Sequence, residues 1–385
     1  MEIQNYYCSQ KFDWVEVRLY DGLVASCCQS TTHRLTLPEL ESHPVGFFNY
    51  PVIQKERQLM LDNVRTPSCE SCWKVEENNI DSRRTLSNSD IRRYHQLEQL
   101  PKTVNLVLSN TCLQSCVYCG KVYSHTWLND VATNGDYNIP GYNDRYNINQ
   151  QDKILLRLGQ KELHQTRTGE LILNQIESAA TNIEKLIITG GEPLLDNQLI
   201  KIVERLQNIP EIVIFTGLGI NLKRLEKICA DLKKYTNISF TVSAENTGTY
   251  HEFNRYGTAY SDWLENYNII SNNFPVSFAS VVSNLTLFGL HDFMFQRSNS
   301  KISFYYNNDP VFLSPNMLDN TSKKNIEFNL LKINHPEIDN IIKYMNQPSN
   351  DINKESLKTF LVRFSQTRNL KLNLFPETFL KWIGI

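Results

Sequence analysis

From about residue 103 onward the chain carries six short apolar runs: Val104–Leu108, Leu186–Thr189, Ile212–Phe215, Ile238–Val242, Val276–Val282 and Ile302–Tyr306. All have strand length and are rich in β-branched or aromatic residues. Between several of them apolar residues recur at helical spacing, as over Asn197–Gln207 and Leu222–Lys234. This β-α alternation predicts an α/β fold, a parallel sheet with helices packed outside it. Six repeats suit an open, partial (β/α)6 barrel. Ligand sites in β/α barrels lie at the C-terminal ends of the strands. Beyond residue 310 the alternation fades into a mostly helical tail, with a helix over Ile352–Gln366, an aromatic end Phe375–Trp382, and turns at Lys323-Lys324-Asn325 and Pro348-Ser349-Asn350.

The chemistry sits where the first run ends. Cys112, Cys116 and Cys119 follow Val104–Leu108 at C-x3-C-x2-C spacing. Thiolates so close can share one metal centre, and cysteine is the usual ligand of iron-sulfur clusters. Three ligands leave one iron of a 4Fe-4S cube open to a molecule with an amine and a carboxylate. A closed zinc site wants four ligands, and the nearest downstream histidine, His125, is merely adjacent. The second run leads into Gly190-Gly191-Glu192-Pro193. Paired glycines let backbone approach a ligand closely, Glu192 offers an acceptor to an ammonium group, and Pro193 starts the next helix.

Together these residues resemble the radical S-adenosylmethionine (SAM) superfamily, whose motif has an aromatic residue before the third cysteine, here Tyr118. The resemblance implies that Cys112, Cys116 and Cys119 hold a 4Fe-4S cluster whose open iron takes the methionine end of SAM. Reductive cleavage then releases a 5′-deoxyadenosyl radical. It also implies that Tyr118 packs near SAM and that Gly190, Gly191, Glu192 and Pro193 hold its amino end. The segments Phe240–Glu245 and Phe253–Gly257 resemble the family's fourth-strand region, making Ser243, Glu245 and Arg255 candidates for the SAM ribose and carboxylate. The alternative is a helix cap for Ser243 and a surface ion pair for Arg255. Thr216 and Asn284 end strand runs and could simply satisfy backbone there.

A second cysteine set lies near the N-terminus. Cys8, Gly22 and Cys27 form C-x13-G-x4-C around a hairpin-like Val15–Val24, and Cys69-Glu70-Ser71-Cys72 follows. This resembles the auxiliary-cluster module of SPASM and twitch proteins, although that module usually follows the barrel. The resemblance implies ligands Cys8, Cys27, Cys69 and Cys72 for an auxiliary 4Fe-4S cluster in the shorter, twitch-like form. Cys28 is the alternative to Cys27, and zinc the alternative metal, because such thiolate sets serve both. Cys229 reads as a core thiol, with Leu225, Ile228 and Leu232 on its helix face, the other reading being a hydrogen-atom donor.

The resulting organisation is a cysteine-rich module over 1–98, a radical SAM partial barrel over 99–310 and a C-terminal extension over 311–385. The segment Asn134–Gln151, crowded with Asn, Asp, Tyr and Gly, reads as a loop covering substrate. Composition then limits the partners. Of the 385 residues, 41% are hydrophobic, enough for a sizeable core. No apolar run approaches the roughly 18 residues of a membrane span. Met1–Asn5 lacks the basic start of a signal peptide, so a cytoplasmic protein is expected, and nine cysteines there point to metal ligands. A net charge of −2 argues against nucleic acid. Arg83-Arg84 and Arg92-Arg93 read as a solvated helix face, with a phosphate site as the alternative. The sequence thus predicts a radical SAM oxidoreductase acting on a peptide or small molecule, served by flavodoxin or ferredoxin. Its rival is a non-catalytic iron-sulfur or zinc protein that keeps the fold.

Overall fold

The computed structural model describes residues 6–28, 30–42, 46–77, 82–88, 96–150, 152, 153, 156, 167–349 and 352–385. Met1–Asn5, Arg92, Arg93, Asn350 and Gln151 lie outside them. Two compact units divide the chain. One comprises residues 1–109, 160–215 and 234–239, and the other 110–159, 216–233 and 240–385.

In the first unit the strands are β1 (Trp14–Arg18), β2 (Leu23–Ala25), β3 (His33–Arg34), β4 (Thr103–Val107), β5 (Lys185–Thr189) and β6 (Glu211–Thr216), ordered β3-β2-β1-β4-β5-β6. The hairpin expected over Val15–Val24 is β1 and β2, antiparallel with Val17 opposite Val24. Its first strand also runs parallel to β4, Val15 beside Val104. The N-terminal segment therefore extends the sheet it precedes. Val104, Leu106, Leu186, Ile188, Ile212 and Ile214 are fully buried, as near-continuous apolar parallel strands require. Helices Arg167–Ser178 and Leu199–Arg205 bury Ile172, Leu173 and Ile176, and Leu199, Ile202 and Val203. Near the N-terminus Tyr7, Cys8, Phe12, Met60, Cys69 and Trp73 form a separate small core.

In the second unit β7 (Ile238–Ser243, from Phe240 on), β8 (Val276–Val282) and β9 (Ile302–Tyr306) run parallel, Phe240 beside Val276 and Phe278 beside Ile302. Helix Leu222–Leu232 buries Leu225, Ile228, Cys229 and Leu232, the face expected for the Cys229 thiol. The tail is helical over Asn320–Leu330, Ile338–Met345, Ile352–Arg368 and Glu377–Ile383. All six predicted strands are present to within a residue or two. The fold is mixed α/β with parallel strands, many helices and a helical C-terminal region, consistent with a partial β/α barrel.

Three local expectations change. Lys323-Lys324-Asn325 is helix, because the Asp319 carboxylate accepts from the Thr321 and Ser322 amides and caps it, while Ser322, Ile326 and Leu330 bury one face. The polar segment from Asn134 is not simply a cover. Tyr137, Ile139 and Tyr146 are buried, and the two tyrosines pack with Trp127 and Phe360. Nor is Arg84 solvated, for its guanidinium pairs with Glu76, donates to the Tyr7 carbonyl and lies 4.6 Å from the Trp73 ring centroid.

Candidate metal centres

The loop carrying Cys112, Cys116 and Cys119 lies in the second unit and is laced to residues 254–258. The Ser115 amide donates to the Tyr256 carbonyl at 2.8 Å and the Val117 amide to the Asn254 carbonyl at 2.9 Å. Gln114 Nε2 donates to Thr258 Oγ1 at 3.0 Å. Gly257, at φ +114°, allows this approach, since a Cβ there would collide with the Leu113 carbonyl oxygen. The far side is fixed by Trp127 Nε1 donating to the Cys116 carbonyl and Ser124 Oγ to that of Gln114. His125 also serves this loop, its Nδ1 accepting from the Cys112 amide at 3.0 Å.

Cys112 and Cys116 are buried and Cys119 is half-buried. Burial pushes the Cys116 thiol up to about 12, with Arg255 working in the opposite direction, and raises Cys119 as well. A bare thiolate is disfavoured here, and a cationic centre would reverse that preference. The Gln114 amide already donates to Cys112 Sγ at 3.4 Å. A sulfur-only set of three in one short, tightly held loop fits a cluster with one iron left open.

Beside this loop Arg255 and Glu245 form a buried pair, and Tyr118 Oη donates to Glu245 Oε1 at 2.9 Å. Arg255 Nη1 lies 3.8 Å from Cys116 Sγ. The pair is thus not on the surface. Ser243 ends β7 half-buried, and the next helix, Gly248–Asn254, has Thr247 at its N-cap instead. Thr216 Oγ1 accepts from the Leu218 amide, while Asn284 Nδ2 donates to the carbonyls of Phe312 and Met317. Both satisfy backbone.

In the first unit Gly190-Gly191-Glu192-Pro193 closes against the end of β4. The Gly191 amide donates to the Ser109 carbonyl at 2.7 Å, and a Cβ on Gly190 would lie 2.7 Å from the same oxygen. Glu192 is buried and caps the turn Pro193–Leu195, its Oε1 accepting from the Leu194 amide at 3.2 Å.

The four N-terminal cysteines, far apart in sequence, meet. Cys8, Cys27, Cys69 and Cys72 line one cavity together with Gln10, Lys11, Ser30, Ser68, Arg83 and Arg84. Cys27 is buried there, whereas Cys28 is exposed. Burial raises the Cys8 thiol to about 12 and also raises Cys72. Among the described residues no group of three or more His, Cys, Asp or Glu is arranged to hold a single metal ion. A four-thiol lining nevertheless has the donor chemistry of a fully ligated iron-sulfur cluster. Sequence reasoning missed Lys11, whose partners come from distant segments, and Gln114, whose contacts needed the fold.

Residues 106–294 match the family model described as Radical SAM superfamily, so this stretch is a radical SAM domain. No curated protein matches the chain. Solved structures similar to it include anSMEcpe with bound AdoMet, at 14% identity and TM-score 0.39, covering 62% of each chain. Another is Streptococcus suis SuiB bound to precursor peptide SuiA, at 10% identity and TM-score 0.35, covering 95% of this chain and 71% of the other. The chain thus spans less than two thirds of anSMEcpe, and likenesses this distant bear on neither substrate nor reaction. Among the described residues no helix is long and apolar enough to cross a membrane.

Proposed function

We propose that this protein is a radical SAM enzyme with an auxiliary 4Fe-4S cluster, acting oxidatively, by dehydrogenation or cross-linking, on a peptide or small molecule. The observation that carries the reading is the meeting of Cys8, Cys27, Cys69 and Cys72 on one cavity, in a chain that also contains a radical SAM domain. In this reading residues 1–98 form a twitch-like module, 99–310 the barrel and 311–385 an extension. The cytoplasm supplies a flavodoxin or ferredoxin as electron donor.

Cys112, Cys116 and Cys119 would hold the SAM cluster, and Gly190, Gly191, Glu192 and Pro193 the amino end of SAM. Tyr118, Ser243, Glu245 and Arg255 would wall its remaining contacts. When bound, this cofactor pair supplies a 5′-deoxyadenosyl radical able to take a hydrogen atom from an unreactive C–H bond. The chain's part is to orient SAM, exclude water and keep the thiols together. Four protein ligands leave a second cluster no open position for substrate, which favours electron transfer and hence an oxidised product.

Anaerobic reconstitution tests this. About eight irons are expected, four for each of two cubanes, together with formation of 5′-deoxyadenosine from SAM under strong reductant. Bound zinc with only one iron centre would remove the auxiliary cluster from the reading. Failure to cleave SAM with both clusters present would leave a non-catalytic iron-sulfur protein.

A further inference from the structure

Lys11 is fully buried on the wall of the four-cysteine cavity. A lysine ammonium has three donors, and here they face Ser26 Oγ at 2.8 Å, Ser30 Oγ at 2.7 Å, Glu56 Oε2 at 2.8 Å and Ser68 Oγ at 3.1 Å. The protein's own oxygens therefore saturate it. Burial works against the charge, but Glu56 and the Cys69 and Cys27 thiols together outweigh that and hold the ammonium above its ordinary value. Lys11 reaches the cavity wall together with Ser30 and Ser68, whereas Glu56 is not among the residues lining it. The ammonium lies within electrostatic reach of the Cys69 and Cys27 thiols.

Such an arrangement is an expensive way merely to hold two segments together, because a buried ion pair gives little net stability. It is an effective way to fix a charge beside a redox centre. Net charge, hydrogen bonding and solvent exposure set the potentials of iron-sulfur clusters. With its donors occupied, Lys11 can act on a cluster only through its field, at a site where solvent screens little.

We propose that Lys11, held by Glu56, Ser26, Ser30 and Ser68, is the positioned counter-charge of the N-terminal cluster and raises its reduction potential. The proposal rests on the auxiliary-cluster reading and assigns no contact with substrate. Lys11 is a positioning residue. Its positive field stabilises the reduced cluster, which carries one more negative charge, more than the oxidised one. The effect is to make the module a better electron acceptor.

The test uses the full chain with Cys112→Ala, Cys116→Ala and Cys119→Ala, so that only the N-terminal centre carries iron. Iron and zinc are counted, and the midpoint is read by redox titration followed by electron paramagnetic resonance. Lys11→Met should make reduction at least tenfold less favourable, a shift of about 59 mV to lower potential for one electron. Lys11→Arg should return most of it. Because Lys11→Met strands Glu56, Lys11→Met with Glu56→Met is measured as well, and it should also fall below the parent.

An unchanged midpoint in folded four-iron variants would overturn the role of Lys11 while leaving the cluster in place. A structural role would lower stability without moving the midpoint. Zinc in the parent would instead overturn the cluster reading, and the proposal with it.

Discussion

Arg255 clasps Glu245 through two parallel hydrogen bonds, Nε to Oε2 at 2.9 Å and Nη2 to Oε1 at 2.8 Å. The side chains are only 4% and 1% exposed. Removing one partner leaves a buried charge beside Cys116. Glu245→Ala should therefore cost about 3–5 kcal/mol of stability, read by denaturant unfolding, whereas an exposed pair would cost about 1 kcal/mol or less. Changing both residues to Leu should recover part of the loss. A cost below about 1 kcal/mol for Glu245→Ala would show that water reaches the pair.

Gly257 offers a steric test of the cysteine loop. An added Cβ would run into the Leu113 carbonyl, and φ +114° is itself unfavourable to any other residue. Gly248 has φ +53° but nothing within 4 Å of a Cβ. Gly257→Ala should thus lower iron incorporation at the Cys112, Cys116 and Cys119 site, while Gly248→Ala should leave it near the parent value. Equal iron content in both variants would mean that the loop does not depend on its contact with residue 257.

The sequence made the parallel strands legible because short β-branched runs alternate with helical periodicity, and each run formed a strand. It did not reveal that β1 joins β4, since pairing between Val15 and Val104 is long-range. Polar composition misled at Lys323–Asn325, where capping and one buried face decided for helix. It also misled around Tyr137 and Tyr146, whose rings entered the core. Cysteine spacing made both cysteine sets visible. Lys11 was hidden because its partners Ser26, Ser30, Glu56 and Ser68 lie up to 57 positions away.

Glu192 combines two roles that substitution can separate. Its carboxylate caps Leu194 in the structure, and the proposed function asks it to accept from the SAM ammonium. Glu192→Gln keeps an acceptor oxygen but removes the charge, and hydrogen bonds to charged groups are worth about 1.5–3 kcal/mol against about 1 for neutral ones. SAM affinity measured on the reconstituted protein should fall several-fold with little change in thermal stability. Glu192→Ala should lose the cap as well, about 1 kcal/mol. Parent SAM affinity in Glu192→Gln would remove this residue from the SAM site.

His251 should shape the acid limb of stability. Its ring is buried against Trp263, with centroids 5.1 Å apart, and burial followed by the nearby Arg255 charge lowers its pKa from 6.5 to about 3. The folded state binds this proton less readily than the unfolded chain. His251 therefore contributes nothing adverse above about pH 6.5, and between 6.5 and 3 each unit of acidification costs up to about 1.36 kcal/mol. His251→Phe should flatten the decline of unfolding free energy between pH 6 and 4. The same slope in parent and variant would mean that other groups carry the acid sensitivity.

Cys69 and Cys72 test whether the second cysteine set takes part in the reaction or only holds the module together. Both thiols lie at one end of helix Glu70–Glu76, and Cys69 packs with Tyr7, Phe12, Met60 and Trp73, so their loss threatens folding as well as chemistry. Cys69→Ala with Cys72→Ala should remove about four irons and keep about four, as one of two cubanes is lost. Circular dichroism and the retained iron in the same sample establish that the remainder is folded. In such a sample 5′-deoxyadenosine should still form, because the residues proposed to hold SAM are unchanged. Once a substrate is known, its oxidised product should fall far more than 5′-deoxyadenosine does, since a substrate that has lost one hydrogen atom must still lose an electron. Full product from a folded double variant would make the N-terminal centre structural and point instead to a redox-neutral reaction.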